Sequence, residues 1–291
     1  MNALTLIVAG LAQGSLYALV ALGLVLIYKT QGVVNFAHGE VLMVGAFIGY
    51  SALVLLSLPY PIAFALAILA GGVLGALIER TTFRPVIAQH HATLAMIAVG
   101  LSVLLKGVAR VPFGGDVYTF PPAFGSAGPI TLGPVLVSPQ SALTIAVALL
   151  LTVCLFVFFG FTTLGKQMRA TQQNMTGARI VGINTGRVFS VTWSLAAAIG
   201  AAAGVLAGPI SLVYADMGTT FLLKGFAAAV LGGFGSVLGA VAAGFIIGVT
   251  ELLFGGYVST AFQEFSAFFI IIVVLFVRPH GLFGKKPVQR V

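Results

Sequence analysis

The chain has 291 residues, 59% hydrophobic and 7% charged, with a formal net charge of +8 and a mean hydropathy of +1.13. Soluble domains carry about 25% charged residues, so a water-facing surface cannot be built here and an integral membrane protein is expected, with no role in nucleic-acid binding. One cysteine, Cys154, excludes a disulfide framework or a cysteine metal site.

About 20 apolar residues cross the hydrocarbon core of a bilayer as a helix. Such stretches are predicted at residues 4–28, 41–57, 62–78, 92–109, 141–161, 188–213 and 259–277. The first is too long for a signal-peptide core and lacks a basic leader, so it is expected to be retained. No strand-like alternation competes. The expected class is all-α: one polytopic domain over residues 1–291, with about seven full spans plus a broken or re-entrant hairpin, or eight to ten hydrophobic segments.

Between the first two spans, VVNFAHGE (33–40) packs Asn35, His38 and Glu40 into six residues. The orientation below puts it at the cytoplasmic junction of the two helices, with apolar neighbours that allow it to dip inward. Two readings fit: a structural break in which Asn35 caps the next helix, or lining of an inner gate.

Positive charge orients the bundle. Placing Lys29, Arg80, Arg84, loop 166–187 and tail 278–291 in the cytoplasm puts eleven of the 14 basic residues there and the N-terminus outside. Lys106, Arg110 and Lys224 are left on the exterior side. Segment 222–254 must then enter and return from one side, and its natural break is Gly232, Gly233, Phe234, Gly235 and Ser236. Each leg is about 15 residues, or about 23 Å, short of a full crossing. A deep hairpin or re-entrant pair with its turn inside the protein is predicted; one long helix with a glycine patch is the alternative.

The exterior loop 110–140 is rich in Gly and Pro, and its aromatics Phe113, Tyr118, Phe120 and Phe124 suggest an ordered cap, anchored at the interface or docking a partner. The interior loop 166–187 is basic, without an acid, and helical in its first half by propensity. Met168, Met175 and Ala178 share part of one side, suiting either anionic headgroups or a protein partner. Small-xxx-small pairs such as Gly10/Gly14, Gly71/Gly75, Gly200/Gly204 and Gly244/Gly248 mark close helix contacts.

The chain has six acids: Glu40, Glu79, Asp116, Asp216, Glu251 and Glu264. Glu79 adjoins Arg80 at a span end and needs no special role. Glu251 and Glu264 fall in apolar segments, where acids face the bundle interior by default or reach the interface from a helix end. Four scattered histidines lack metal-ligand spacing, and no phosphate-cradling GxxxxGK[ST] stretch occurs, so neither an enzyme nor a metal site is expected. Few intramembrane acids also argue against an ion-coupled transporter or channel.

GLAQGSLYALVALGLVLIYKTQGVVNFAHGE, MRATQQNMTGARIVGIN, FAAAVLGGFGSVLGAVAAG and RPHGLFGKK together resemble the LivH-type permeases of high-affinity branched-chain amino acid ABC transporters. The likeness is collinear over nearly the whole chain. It implies an inner-membrane permease paired with a LivM-like permease, two cytoplasmic ATPases that use ATP and Mg, and a periplasmic binding protein, with no cofactor on this chain. Arg169, Ala170, Asn174, Ala178, Gly182, Ile183 and Asn184 would belong to the ATPase-coupling loop. Arg169-Ala170-Thr171 stands where broader importers often have Glu-Ala-Ala, a departure usual in this subfamily. The translocation route is expected near Asn35, His38, Glu40, Gly232–Ser236 and Glu251. The transported solute would be a branched-chain or similarly apolar amino acid, or alternatively urea, a short amide or an aromatic acid.

Overall fold

The computed structural model describes residues 3–87, 89–125, 128–132, 135–278 and 281–284. Its helices are α1 (Ala3–Gln31), α2 (His38–Tyr50), α3 (Tyr60–Ile78), α4 (His91–Phe113), α5 (Pro139–Phe161), α6 (Thr163–Gln173), α7 (Met175–Ile180), α8 (Thr185–Ser211), α9 (Met217–Gly232), α10 (Val237–Tyr257) and α11 (Thr260–Val277). Wide π turns extend α2 over Ser51–Leu55 and α3 over Glu79–Phe83. Seven segments among the described residues are long and apolar enough to cross a membrane: α1, α2 and α3 with their extensions, α4, α5, α8 and α10. The protein is thus a polytopic all-α bundle.

Two ends can be told apart by contacts. At one, α6 and α7 lie beside the end of α1: the Tyr28 and Phe234 rings meet at a tilt, 4.7 Å apart, the Trp193 indole donates to Gln31, and Leu282 N–H, beyond α11, donates to the Leu231 carbonyl. Lys29, Arg84, Lys166, Arg169, Arg179 and Arg187 cluster here, and we term it the basic end. At the other, the loop end, Tyr50 and Tyr60 pack on Tyr118 and Phe120, and Tyr118 pairs with Val213.

α1 and α8 form the centre. Between apolar helices in lipid, association rests on close van der Waals packing, which small residues permit. α1 presses Gly10 and Gly14 against Gly244 and Gly248 of α10; a Cβ on Gly14 would stand 2.7 Å from the Gly244 carbonyl oxygen. Across the bundle, Gly204 of α8 meets the Leu42 carbonyl, and Gly71 and Gly75 of α3 meet Ala197, Ala201 and Trp193 of α8.

Four expectations are corrected. First, VVNFAHGE does more than break the chain between the first two helices: it dips inward, as its apolar neighbours allow, deeper than a surface junction. His38 lies against Gly23 of α1 and Gly200 of α8, and α1 runs eight residues beyond Gly23, about 12 Å at 1.5 Å per residue. The chain therefore turns back into the bundle, and α2 starts in its interior. The residue capping α2 is Ala37; Asn35 acts one step earlier, its Oδ1 accepting from Ala37 N–H at 3.0 Å and its carbonyl from His38 N–H at 3.1 Å.

Second, segment 222–254 is two helices of unequal length. α10 has 21 residues, about 32 Å, and α9 has 16. The break falls at the expected glycine turn, with φ +87° at Gly233 and Gly232 and Gly233 buried, and the turn lies at the basic end. Third, Lys224 is buried in the middle of α9 and does not face the exterior. Fourth, loop 166–187 is helical in its first half as expected, through Gln173, but a second short helix follows a break at Asn174.

The loop-end cap includes a two-stranded antiparallel hairpin, β1 (Ile130–Leu132) and β2 (Val135–Val137), too short for its alternation to be legible. Phe120 is buried while Phe124 is exposed. Gln140 pins this cap, accepting from Ala123 N–H and donating to the Leu206 carbonyl. The readings of the Glu264 side chain and of tail residues His280, Lys285, Lys286 and Arg290 fall outside the described residues.

Candidate functional site

Polar groups inside a membrane bundle are costly, so their arrangement is the strongest guide to function. They follow α9. At its first turns, the Lys106 ammonium of α4 donates to Thr219 Oγ1 at 2.6 Å and lies 3.5 Å from both Glu40 and Asp216. Asp216 also pairs with Arg110 at 2.7 Å, an exposed pair that contributes little to stability. Glu40 is buried, and its second oxygen, Oε2, has no hydrogen-bond partner among the described residues. Both nitrogens of the fully buried His38 are likewise unpartnered. Here the first turns of α2 and α9 meet backbone to backbone, Gly39 against Gly218.

Halfway along α9, Lys224 Nζ lies 2.5 Å from Glu251 Oε1. Tyr17 donates to Glu251 Oε2 at 2.8 Å and accepts from Gln13 at 2.9 Å. The ammonium also sits 5.4 Å from the centre of the Tyr17 ring, a cation–π distance. Three helices, α1, α9 and α10, thus share one buried ion pair whose carboxylate is satisfied at both oxygens.

At the basic end, α9 leads into the Gly232–Ser236 turn. Gly235 borders a cavity of about 610 Å³ whose polar wall comes from Lys29, Gln31, Gln172, Asn174 and Arg179. The sequence-predicted route residues therefore fall at three levels: Asn35, His38 and Glu40 at the α2 break, Glu251 in the middle, and the glycine turn at the basic end. None of the cavities we describe is lined by Asn35, His38 or Glu40.

The predicted coupling residues mostly shape their segment. Thr162 caps α6 through Gly165 N–H at 3.0 Å, Asn174 ends α6 and caps α7 through Gly177 N–H at 2.8 Å, and Asn184 caps α8 through Arg187 N–H at 3.0 Å. Gly182, at φ +83°, closes α7. Its N–H donates to the Arg179 carbonyl and Ile183 N–H to the Ala178 carbonyl, the paired bonds of a Schellman turn. Met168, buried, and Met175, partly buried, pack with Val188 and Phe189 of α8, and Ala178 is buried as well. Arg169 faces outward, as do Asn174, Gly182 and Asn184, together with Ile180 and Val181 at 81% and 76% exposure. These two aliphatics were missed, although an apolar pair beside a glycine stop in a basic loop is a usable signal.

Glu79 was also undervalued. It is fully buried, pairs with Arg84 at 2.6 Å, and accepts from Ser190 at 2.7 Å, tying α3 to α8. The π turn that starts at Glu79 places Arg84 five residues on within reach.

A bundle with ion pairs along its interior and a capped helix pair presented at one end has the organisation of a membrane transport subunit. Residues 6–278 match the family described as "branched-chain amino acid transport system / permease component", and the chain belongs to it. Relatives include the high-affinity branched-chain amino acid transport permease LivH of Salmonella typhimurium strain LT2, 32% identical over 97% of this chain and 96% of that protein. BraD of Pseudomonas aeruginosa is 32% identical over 98% and 97%. Among solved structures, PsaBC from Streptococcus pneumoniae in complex with Fab shares the fold at a TM-score of 0.52 and 16% identity, over 94% of this chain and 91% of that one.

Proposed function

We propose that the chain is the permease subunit of an ATP-driven importer for branched-chain or similarly apolar amino acids. A partner binding protein delivers the solute at the loop end, and partner ATPases, with ATP and Mg, act at the basic end. The observation that carries this reading is whole-length similarity to permeases of that named activity, joined to the outward-facing Ile180 and Val181 at the basic end. Clustered basic residues support a cytoplasmic basic end and an exterior N-terminus in the inner membrane. A second, LivM-like permease completes the pathway. The polar groups beside α9, from Glu40 and Asp216 through Glu251 to the glycine turn, are its gating and lining elements.

Radiolabelled leucine uptake in cells carrying the chain with its neighbouring transporter genes, compared with a deletion of the chain alone, tests this. Uptake should fall to the transporter-free level. A second reading, import of another small solute, is favoured by a 31% identical match over 43% of the chain to an autoinducer 2 import permease, LsrC of Shigella flexneri. Unchanged leucine uptake with lost uptake of another solute would establish it.

A further inference from the structure

We propose that a cavity of about 290 Å³ at the basic end, between α1, α5, α6 and the start of α10, binds one anionic phospholipid. The inference is independent of which solute is carried. Its walls are of two kinds. Phe156, Phe159, Val237 and Leu238 supply an apolar side, and Lys29 and Arg169 a cationic one, with no acidic residue in the lining. Phe156 and Leu238 are 55% and 57% exposed, so the apolar wall continues onto the bundle's outer surface, where an acyl chain lies.

The depth fits. Phe156 is five residues from the end of α5, about 8 Å, while Lys29 stands in the last turn of α1 and Arg169 lies in α6, which follows the end of α5. A headgroup phosphate between the two cations therefore leaves its chains level with the phenyl rings. The start of α10 adds the positive end of a 21-residue helix to the same wall. Arg169 makes no hydrogen bond or ion pair within the described residues, so its guanidinium is available to a phosphate, which it can engage through two N–H groups. A soluble anion would use the cations but leave the apolar wall bare, and a zwitterionic lipid would fill the wall but gain less from the charge.

Retention of phosphatidylglycerol against phosphatidylcholine, at equal mole fraction, can be measured by native mass spectrometry on the full chain and on the assembled transporter. Wild type should retain phosphatidylglycerol preferentially in both. Lys29→Gln with Arg169→Gln should weaken retention about 30-fold, or about fivefold for each basic group near an anionic headgroup. Gly160→Leu is the steric counterpart: Gly160 lines the cavity, and a Cβ there meets nothing within 4 Å, so the leucine fills the site without disturbing the fold. Arg187→Gln, a charge change at the same end outside the lining, should leave retention intact. Equal retention of the two lipids, or retention unaltered by Gly160→Leu, would overturn the site. So would displacement by millimolar inorganic phosphate, which marks a free-anion site. Loss of the preference only in the assembled transporter would assign the groove to a subunit interface and overturn it too.

Discussion

Replacing Lys224 by Met removes the cationic half of the pair at the centre of the bundle while keeping an unbranched side chain of similar length, so little cavity cost is added. Glu251, 3% exposed, would retain only the Tyr17 hydroxyl at 2.8 Å. Leaving one partner of a buried pair uncompensated costs about 3–5 kcal/mol. Replacing both partners should cost far less, because no buried charge is then left uncompensated. We therefore expect Lys224→Met to destabilise the chain by about 3 kcal/mol, and Lys224→Met/Glu251→Gln, whose amide oxygen still accepts from Tyr17, to recover about 2 kcal/mol of that, within the coupling range seen for contacting residues. Reversible unfolding in mixed micelles, run as a double-mutant cycle, measures both. Additive single effects, or a Lys224→Met variant within about 0.5 kcal/mol of wild type, the range of an ordinary surface substitution, would refute the assignment of the pair as a stabilising tie between α1, α9 and α10.

Gly23→Ala should destabilise, because its Cβ would overlap the His38 imidazole; adding His38→Ala should suppress the loss in the same unfolding assay. Gly100→Ala, where a Cβ meets nothing within 4 Å, should instead be neutral or stabilise by up to about 1 kcal/mol through helix propensity. Glu79→Gln weakens the Arg84 and Ser190 contacts and should lower stability by about 1–3 kcal/mol, read as an earlier thermal transition in detergent. Ile180→Asp with Val181→Asp should uncouple ATP hydrolysis from uptake in the reconstituted transporter while leaving the thermal transition of the chain unchanged; preserved coupling would exclude this surface as the ATPase contact.

Span positions were legible because hydropathy reports burial in lipid directly, and the basic clusters around Arg84 and Arg169 separated the two ends. Depth was not legible. Hydropathy cannot distinguish a polar stretch at the surface from one folded inward, so VVNFAHGE could be set at the junction with freedom to dip inward, but how far inside α2 starts could not be read. The same limit affected Lys224, which was assigned to the exterior by charge counting; its partner Glu251 lies 27 residues away on another helix. Helix breaks were half legible. The glycine stop at Gly182 could be read, while the break at Asn174 depends on a side-chain cap that competes with continued helix. The glycine pairs were recognised as contacts, but which helices they join is tertiary information.

Those glycine contacts have a mechanical consequence. Where α1 meets α10, and where α8 meets α2 and α3, backbone lies against backbone or a Cβ at most of the glycines, and few rotamers intervene. Sliding between packed helices ordinarily proceeds by repacking side chains, and these seams have few to repack. Each joined set therefore behaves as a stiff plate that passes on displacement with little damping. A push delivered to α6 and α7, which pack on α8, would reach the α2 break in the bundle interior as rigid-body motion, not as local deformation.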